Sequence, residues 1–134
     1  MAAVELEIPP RSVYVGVVRL ALASMARNAG IDEETIDHLK IAVSEACANA
    51  VLAHDELKLA EPFGVSWSED SHHVVVEVCD RASSYDIEPG SELDSHGIST
   101  RLTMSAALMA SLVDECTFSK RDGGGTCARL VLNR

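Results

Sequence analysis

The chain has 134 residues, 47% of them hydrophobic, with 21 acidic against 11 basic side chains and a formal charge of −10. This is the length of a single domain, taken here as 1–134, with enough apolar side chain for a core, which excludes a disordered tail. The acidic balance and the 4% aromatic content argue against direct binding of nucleic acid, which needs clustered Lys and Arg and stacking platforms, and no apolar run approaches the about 18 residues of a membrane span.

The opening MAAVELEIPP carries two glutamates and no cationic start, so no signal peptide is expected and the expected compartment is the cytoplasm. Val4, Leu6 and Ile8 alternate with Glu5 and Glu7, the pattern of a half-buried strand ended by Pro9 and Pro10. Ser12 is placed to cap a helix with apolar positions at Val13, Val17, Leu20, Ala21 and Met25, stopped near Gly30. Asp32 is placed to cap a second helix running to about Ala53, with Ile31 and Ile36 as a hydrophobic staple. Phe63, Val65 and Trp67, then Val74, Val76 and Val78, predict two strands around Glu69-Asp70-Ser71. Residues 80 to 97 are rich in Asp, Glu, Ser, Pro and Gly and read as a long loop. Residues 99 to 112 are helical by composition, and 116–120 with 126–132 form a last hairpin across Asp122-Gly123-Gly124-Gly125. The order β, α, α, β, β, loop, α, β, β predicts an α+β fold: a two-layer sandwich, with a mixed or antiparallel sheet and its helices on one face.

Cys47, Cys79, Cys116 and Cys127 form no C-x-x-C pair and each lies in an apolar segment, so four buried free thiols are expected and no zinc site. His72 and His73 read as surface residues, and His38 and His54 as helix-surface or boundary residues.

On the second helix, Ile36, Leu39, Val43, Ala46 and Ala50 share a core face at about 100° per residue. Asp37, Lys40, Ser44 and Ala48 lie opposite. Glu45 and Asn49 belong to neither set; they stack four residues apart on a stripe otherwise made of Ile41, Ala42 and Leu52. A carboxylate and an amide there are either partly wet boundary residues or line a site, in which Asn49 offers an oxygen to a hard cation and Glu45 orients or activates a hydroxyl.

The string EACANAV at 45–51 resembles the N-box of the Bergerat-fold ATPases, and LKIAVSEACAN at 39–49 resembles the bacterial anti-sigma factor serine-protein kinases of the RsbW and SpoIIAB type. The acidic first strand ending in proline and the helix with Arg19-Leu20-Ala21-Leu22 fit as well, so the resemblance covers nearly the whole chain. It implies the histidine-kinase-like ATPase fold, ATP with magnesium, Glu45 as the base on the attacking hydroxyl, and Asn49 as the magnesium ligand. It further implies Asp80 as the acceptor of the adenine amino group, Arg101 on the terminal phosphate, and Gly125-Thr126 beside the adenine. The partners implied are a sigma factor and an anti-anti-sigma protein of the STAS type, with a homodimer through the first strand and helix.

The glycine boxes depart from the family. Ala82 and Ser84 stand in the first and Thr103 and Ser105 in the second, where glycine normally lets backbone approach phosphate. Asp86, Glu88, Glu92 and Asp94 fill the loop between them, as a solvated surface or as a contact for a basic partner. Two functions follow: an ATP-dependent anti-sigma kinase, or a partner-switching binding module of the same fold without ATP turnover. A sensor histidine kinase fits less well, since His38 and His54 lie on the second helix itself.

Overall fold

The computed structural model describes residues 2–82 and 98–134, with no side-chain detail at residue 2 or at 98–102. Strand β1 (Ala2–Ile8) leads through a short 3₁₀ turn (Ser12–Tyr14) into α1 (Val15–Asn28), followed by α2 (Glu33–Glu56), β2 (Phe63–Glu69), β3 (His73–Cys79), α3 (Ile98–Leu112), β4 (Glu115–Lys120) and β5 (Thr126–Asn133).

The helix boundaries are local chemistry. Gly30, at φ +81°, closes α1: the Ile31 N–H reaches the Ala26 carbonyl and the Gly30 N–H the Arg27 carbonyl, the paired bonds of a Schellman stop. Asp32 Oδ1 accepts the Thr35 N–H at 2.7 Å and opens α2; hydrogen bonding from the Thr35 side chain, and then from its N–H, holds the Asp32 carboxyl below its usual range. Ser12 caps nothing; Tyr14 precedes α1 without a side-chain bond.

The sheet order is β1-β2-β3-β5-β4, and every pairing is antiparallel, which resolves the alternative of a mixed sheet. β5 enters between β3 and β4, so the last strand is interior to the sheet and carries Ala128, Leu130 and Leu132 into the core. Phe63, Val65 and Trp67 of β2 and Val74, Val76 and Val78 of β3 are buried on the same side of the sheet, where α2 packs on β3. α2 is the middle helix, packed on α1, α3 and β3, with Ile36, Leu39, Val43, Ala46 and Ala50 buried as their spacing predicts.

The α1 face differs from the expectation. Val18, Leu22, Ala23 and Ala26 are buried, whereas Val17 and Leu20 are 58% and 71% exposed, as is Val13 before them. The segment VGVVRLALASMA is apolar nearly all round, so its periodicity does not choose a side; packing on α2 does.

The cysteines also correct the expectation. Cys47 is buried and free, its thiol pushed up to about 12 by burial, and Cys116 is half-buried and free. Cys79 and Cys127 are joined in a disulfide across β3 and β5. They stand opposite one another in the register with Cα atoms 4.0 Å apart. A separation of 48 residues hides such a pair from any local spacing rule.

Candidate functional site

Glu45 and Asn49 sit half-buried on one stripe of α2, between the core and the exposed Ile41 and Ala48. The Asn49 Nδ2 donates to Ser105 Oγ of α3 at 2.7 Å. Ser105 is itself 3% exposed, so the bond is shielded from water and fixes the amide. With the nitrogen committed, Oδ1 is the atom left to meet a cation, and a neutral amide oxygen is a hard ligand that suits magnesium. Among the described residues no group hydrogen-bonds the Glu45 carboxylate, which leaves its oxygens open to a hydroxyl.

Asp80 follows the end of β3. Its Oδ1 accepts the N–H of Ala82 at 3.0 Å and of Thr126 at 3.2 Å, and its own N–H reaches the Thr126 carbonyl at 2.9 Å. Two amide donors on one oxygen orient the carboxylate and leave Oδ2 to receive an amino group. Ala82 is buried with its N–H spent on Asp80. Gly125, at φ +112°, lies flat against this turn, and a Cβ there would collide with the Asp80 carbonyl. We expect Gly125→Ala to lower stability by roughly 1–3 kcal/mol, from the backbone conformation and the overlap. Gly123→Ala, where a Cβ meets open space, should cost less. Urea midpoints of the two variants compare them; equal losses would remove the close approach as the cause.

The remaining expected residues are placed less directly. Thr103 lies exposed within α3, so its backbone is helical and no positive φ is required of it. Arg101 lies in the first turn of the same helix, its side chain outside the described residues. Ser84 and the acidic loop residues Asp86, Glu88, Glu92 and Asp94 lie outside them altogether.

One residue that sequence reasoning placed at the surface or boundary is fully buried: His54, with 0% exposure. Its position four residues beyond Ala50 extends the core stripe of α2, and that continuation was the available signal. His72 and His73 are exposed, as expected, with both backbone N–H groups bonded to Asp70 Oδ1. Glu77 joins Cys79 and Cys127 in a cluster whose possible ligand atoms lie within 4.8 Å of one another, but the bonded sulfurs are not thiolates. A cleft of about 310 Å³ on the far face of the sheet, lined by Glu5, Glu7, Ser66, Glu77 and Cys79, contains none of Glu45, Asn49 and Asp80.

The sequence profile of the histidine kinase-like ATPase domain matches residues 8–132. Serine-protein kinase RsbW of Bacillus velezensis is 36% identical over 141 aligned residues, covering 97% of this chain and 86% of that protein. The chain belongs to the histidine kinase-like ATPase family, in its RsbW group. RsbW of Bacillus subtilis is 35% identical with the same coverage, while the match to RsbW of Oceanobacillus iheyensis, at 36% identity, spans 54% of that protein. The fold is shared with a crystal structure of the RsbU and RsbW domains of Rv1364c from Mycobacterium tuberculosis, at a TM-score of 0.73 and 20% identity. That match covers 98% of this chain and 32% of the other. Family membership agrees with the Bergerat-type resemblance carried by residues 39–51 and with the two-layer architecture.

Proposed function

We propose that this chain is an anti-sigma factor that binds a sigma factor and phosphorylates a serine of a STAS-type antagonist with ATP. The observation that carries the reading is the pairing of two prepared groups: an Asn49 amide oriented by Ser105, and an Asp80 carboxylate oriented by Ala82 and Thr126. The RsbW relatives, similar over nearly the whole chain, support the same activity and partners.

In this reading Asp80 accepts the adenine amino hydrogens through Oδ2, with Gly125 and Thr126 alongside. Asn49 Oδ1 would hold magnesium, which would neutralise charge on the phosphates. Glu45 takes the proton from the antagonist's serine hydroxyl as that oxygen bonds to the γ-phosphorus; the bond to the bridging oxygen breaks and ADP leaves. Arg101, at the first turn of α3, is assigned to the terminal phosphate. Ala82, Ser84, Thr103 and Ser105 replace glycines of the family pattern, and the Ser105 hydroxyl is already engaged with Asn49. Phosphate contacts therefore fall to side chains and the α3 N-terminus more than to a glycine loop.

The exposed apolar side chains Val13, Val17 and Leu20 support a homodimer contact at the first turn and α1. No helix among the described residues is long and apolar enough to cross a membrane. Titration calorimetry with Mg-ATP tests the reading. Saturable binding in the micromolar range is the expected result; absence of binding would favour the module without ATP turnover.

A further inference from the structure

We propose that His54 is a positioning residue for the adenine end of the site, holding the Asp80 turn to the same helix that carries Glu45 and Asn49. The proposal rests on the reading of Asp80 as the adenine acceptor.

Among the described residues the buried polar side chains are His54 and Ser105. Ser105 is accounted for by Asn49. His54 points instead toward the turn after β3. Its Nε2 accepts the Arg81 N–H at 2.9 Å, and an amide can only donate, so that nitrogen carries no proton. The proton then sits on Nδ1, which donates to the Glu61 carbonyl at 2.9 Å. The ring edge meets Phe63 with centroids 6.2 Å apart, which fixes its plane. Both ring nitrogens are satisfied by backbone, and neither relies on water.

Arg81 is the residue between Asp80 and Ala82. Its amide is tied to His54, while the amides of Ala82 and Thr126 are tied to Asp80 Oδ1. The turn is thus pinned at Asp80, Arg81 and Ala82, and one of those pins comes from α2. His54 lies five residues beyond Asn49, about 8 Å along the helix axis. A rigid helix therefore sets the distance between the cation ligand and the adenine acceptor. With glycines missing from the boxes, the backbone has less freedom to adapt to the nucleotide, and a preset turn becomes more useful.

Two isosteres separate the bonds. His54→Asn places an amide nitrogen near the Nδ1 position and keeps the bond to Glu61 while losing Arg81. His54→Gln places an amide oxygen near the Nε2 position and keeps Arg81 while losing Glu61. Both delete the ring and should lower stability alike. Binding of Mg-ADP, which carries the base, and of Mg-tripolyphosphate, which lacks it, is measured by calorimetry. The Asn variant should bind Mg-ADP about tenfold more weakly and the Gln variant within about threefold of the parent, with tripolyphosphate affinity unchanged in both.

Equal losses in the two variants, or a tripolyphosphate loss equal to that for ADP, would overturn the positioning role and leave only structural support. A parent chain that binds neither ligand would overturn the ATP-site reading itself, and the proposal with it. Should a replacement fail to fold, the imidazole ¹⁵N shifts of the unmodified protein decide: a protonated Nδ1 and an accepting Nε2 are expected, and a protonated Nε2 sinks the tether.

Discussion

Replacing Glu45 by alanine should lower transfer of phosphate to the antagonist's serine by roughly 10²–10⁴-fold, the usual contribution of a positioned general base. The side chain is half-buried on α2, one turn before Asn49, and no described residue engages its carboxylate. Removing it therefore breaks no hydrogen bond in the described fold. Its stability cost should stay within about 0.5 kcal/mol, as for substitutions away from packed features. The loss should appear in kcat with KM for ATP nearly constant, since a proton acceptor acts on the transition state more than on the bound nucleotide. Sigma-factor binding should persist. Single-turnover transfer from γ-labelled ATP measures the effect, and a Glu45→Ala chain that transfers at the parental rate would remove Glu45 from the chemistry. Glu45→Gln sharpens the result: it keeps the shape and the polar contact but cannot take the proton, so it should be about as slow as alanine.

Much of the fold was legible because its signals are local. The Asp32 cap, the Gly30 stop and the alternation of Val74, Val76 and Val78 each depend on residues within a few positions of one another. The buried face of α1 is not legible in the sequence, for the opposite reason. Its apolar residues surround the helix, and the choice of Val18, Leu22 and Ala23 over Val13, Val17 and Leu20 is made by α2, which lies elsewhere in the chain.

The candidate site divides in the same way. Glu45 and Asn49 stand out because a carboxylate and an amide interrupt an apolar stripe of one helix. Ser105, 56 residues from Asn49, and Arg81, 27 residues from His54, become their partners only when α3 and the end of β3 are docked. Sequence spacing suggests which groups bear the chemistry, while the groups that orient them come from tertiary packing.

The cross-strand disulfide has the largest expected effect on stability. The hydrogen bond from the Asp80 N–H to the Thr126 carbonyl makes that pair a hydrogen-bonded one, so the preceding pair, Cys79 and Cys127, is a non-hydrogen-bonded pair of the ladder, the register in which side chains approach most closely. Closing a loop of 48 residues restricts the unfolded chain, and the loop-entropy model gives about 4 kcal/mol for a loop of that size. Protein equilibrated with oxidised glutathione should therefore show two titratable thiols after unfolding, Cys47 and Cys116, and four after addition of a dithiol. Its urea midpoint should fall on reduction. The double variant Cys79→Ala with Cys127→Ala should match the reduced protein and ignore the dithiol. Asp80 and Thr126 adjoin the two cysteines, so any loosening on reduction begins where the Asp80 turn is held by Thr126. Four thiols in the oxidised protein, or a midpoint indifferent to reductant, would show that the facing sulfurs do not bond and that the hydrogen bonds of β3 with β5 hold this end of the sheet without them.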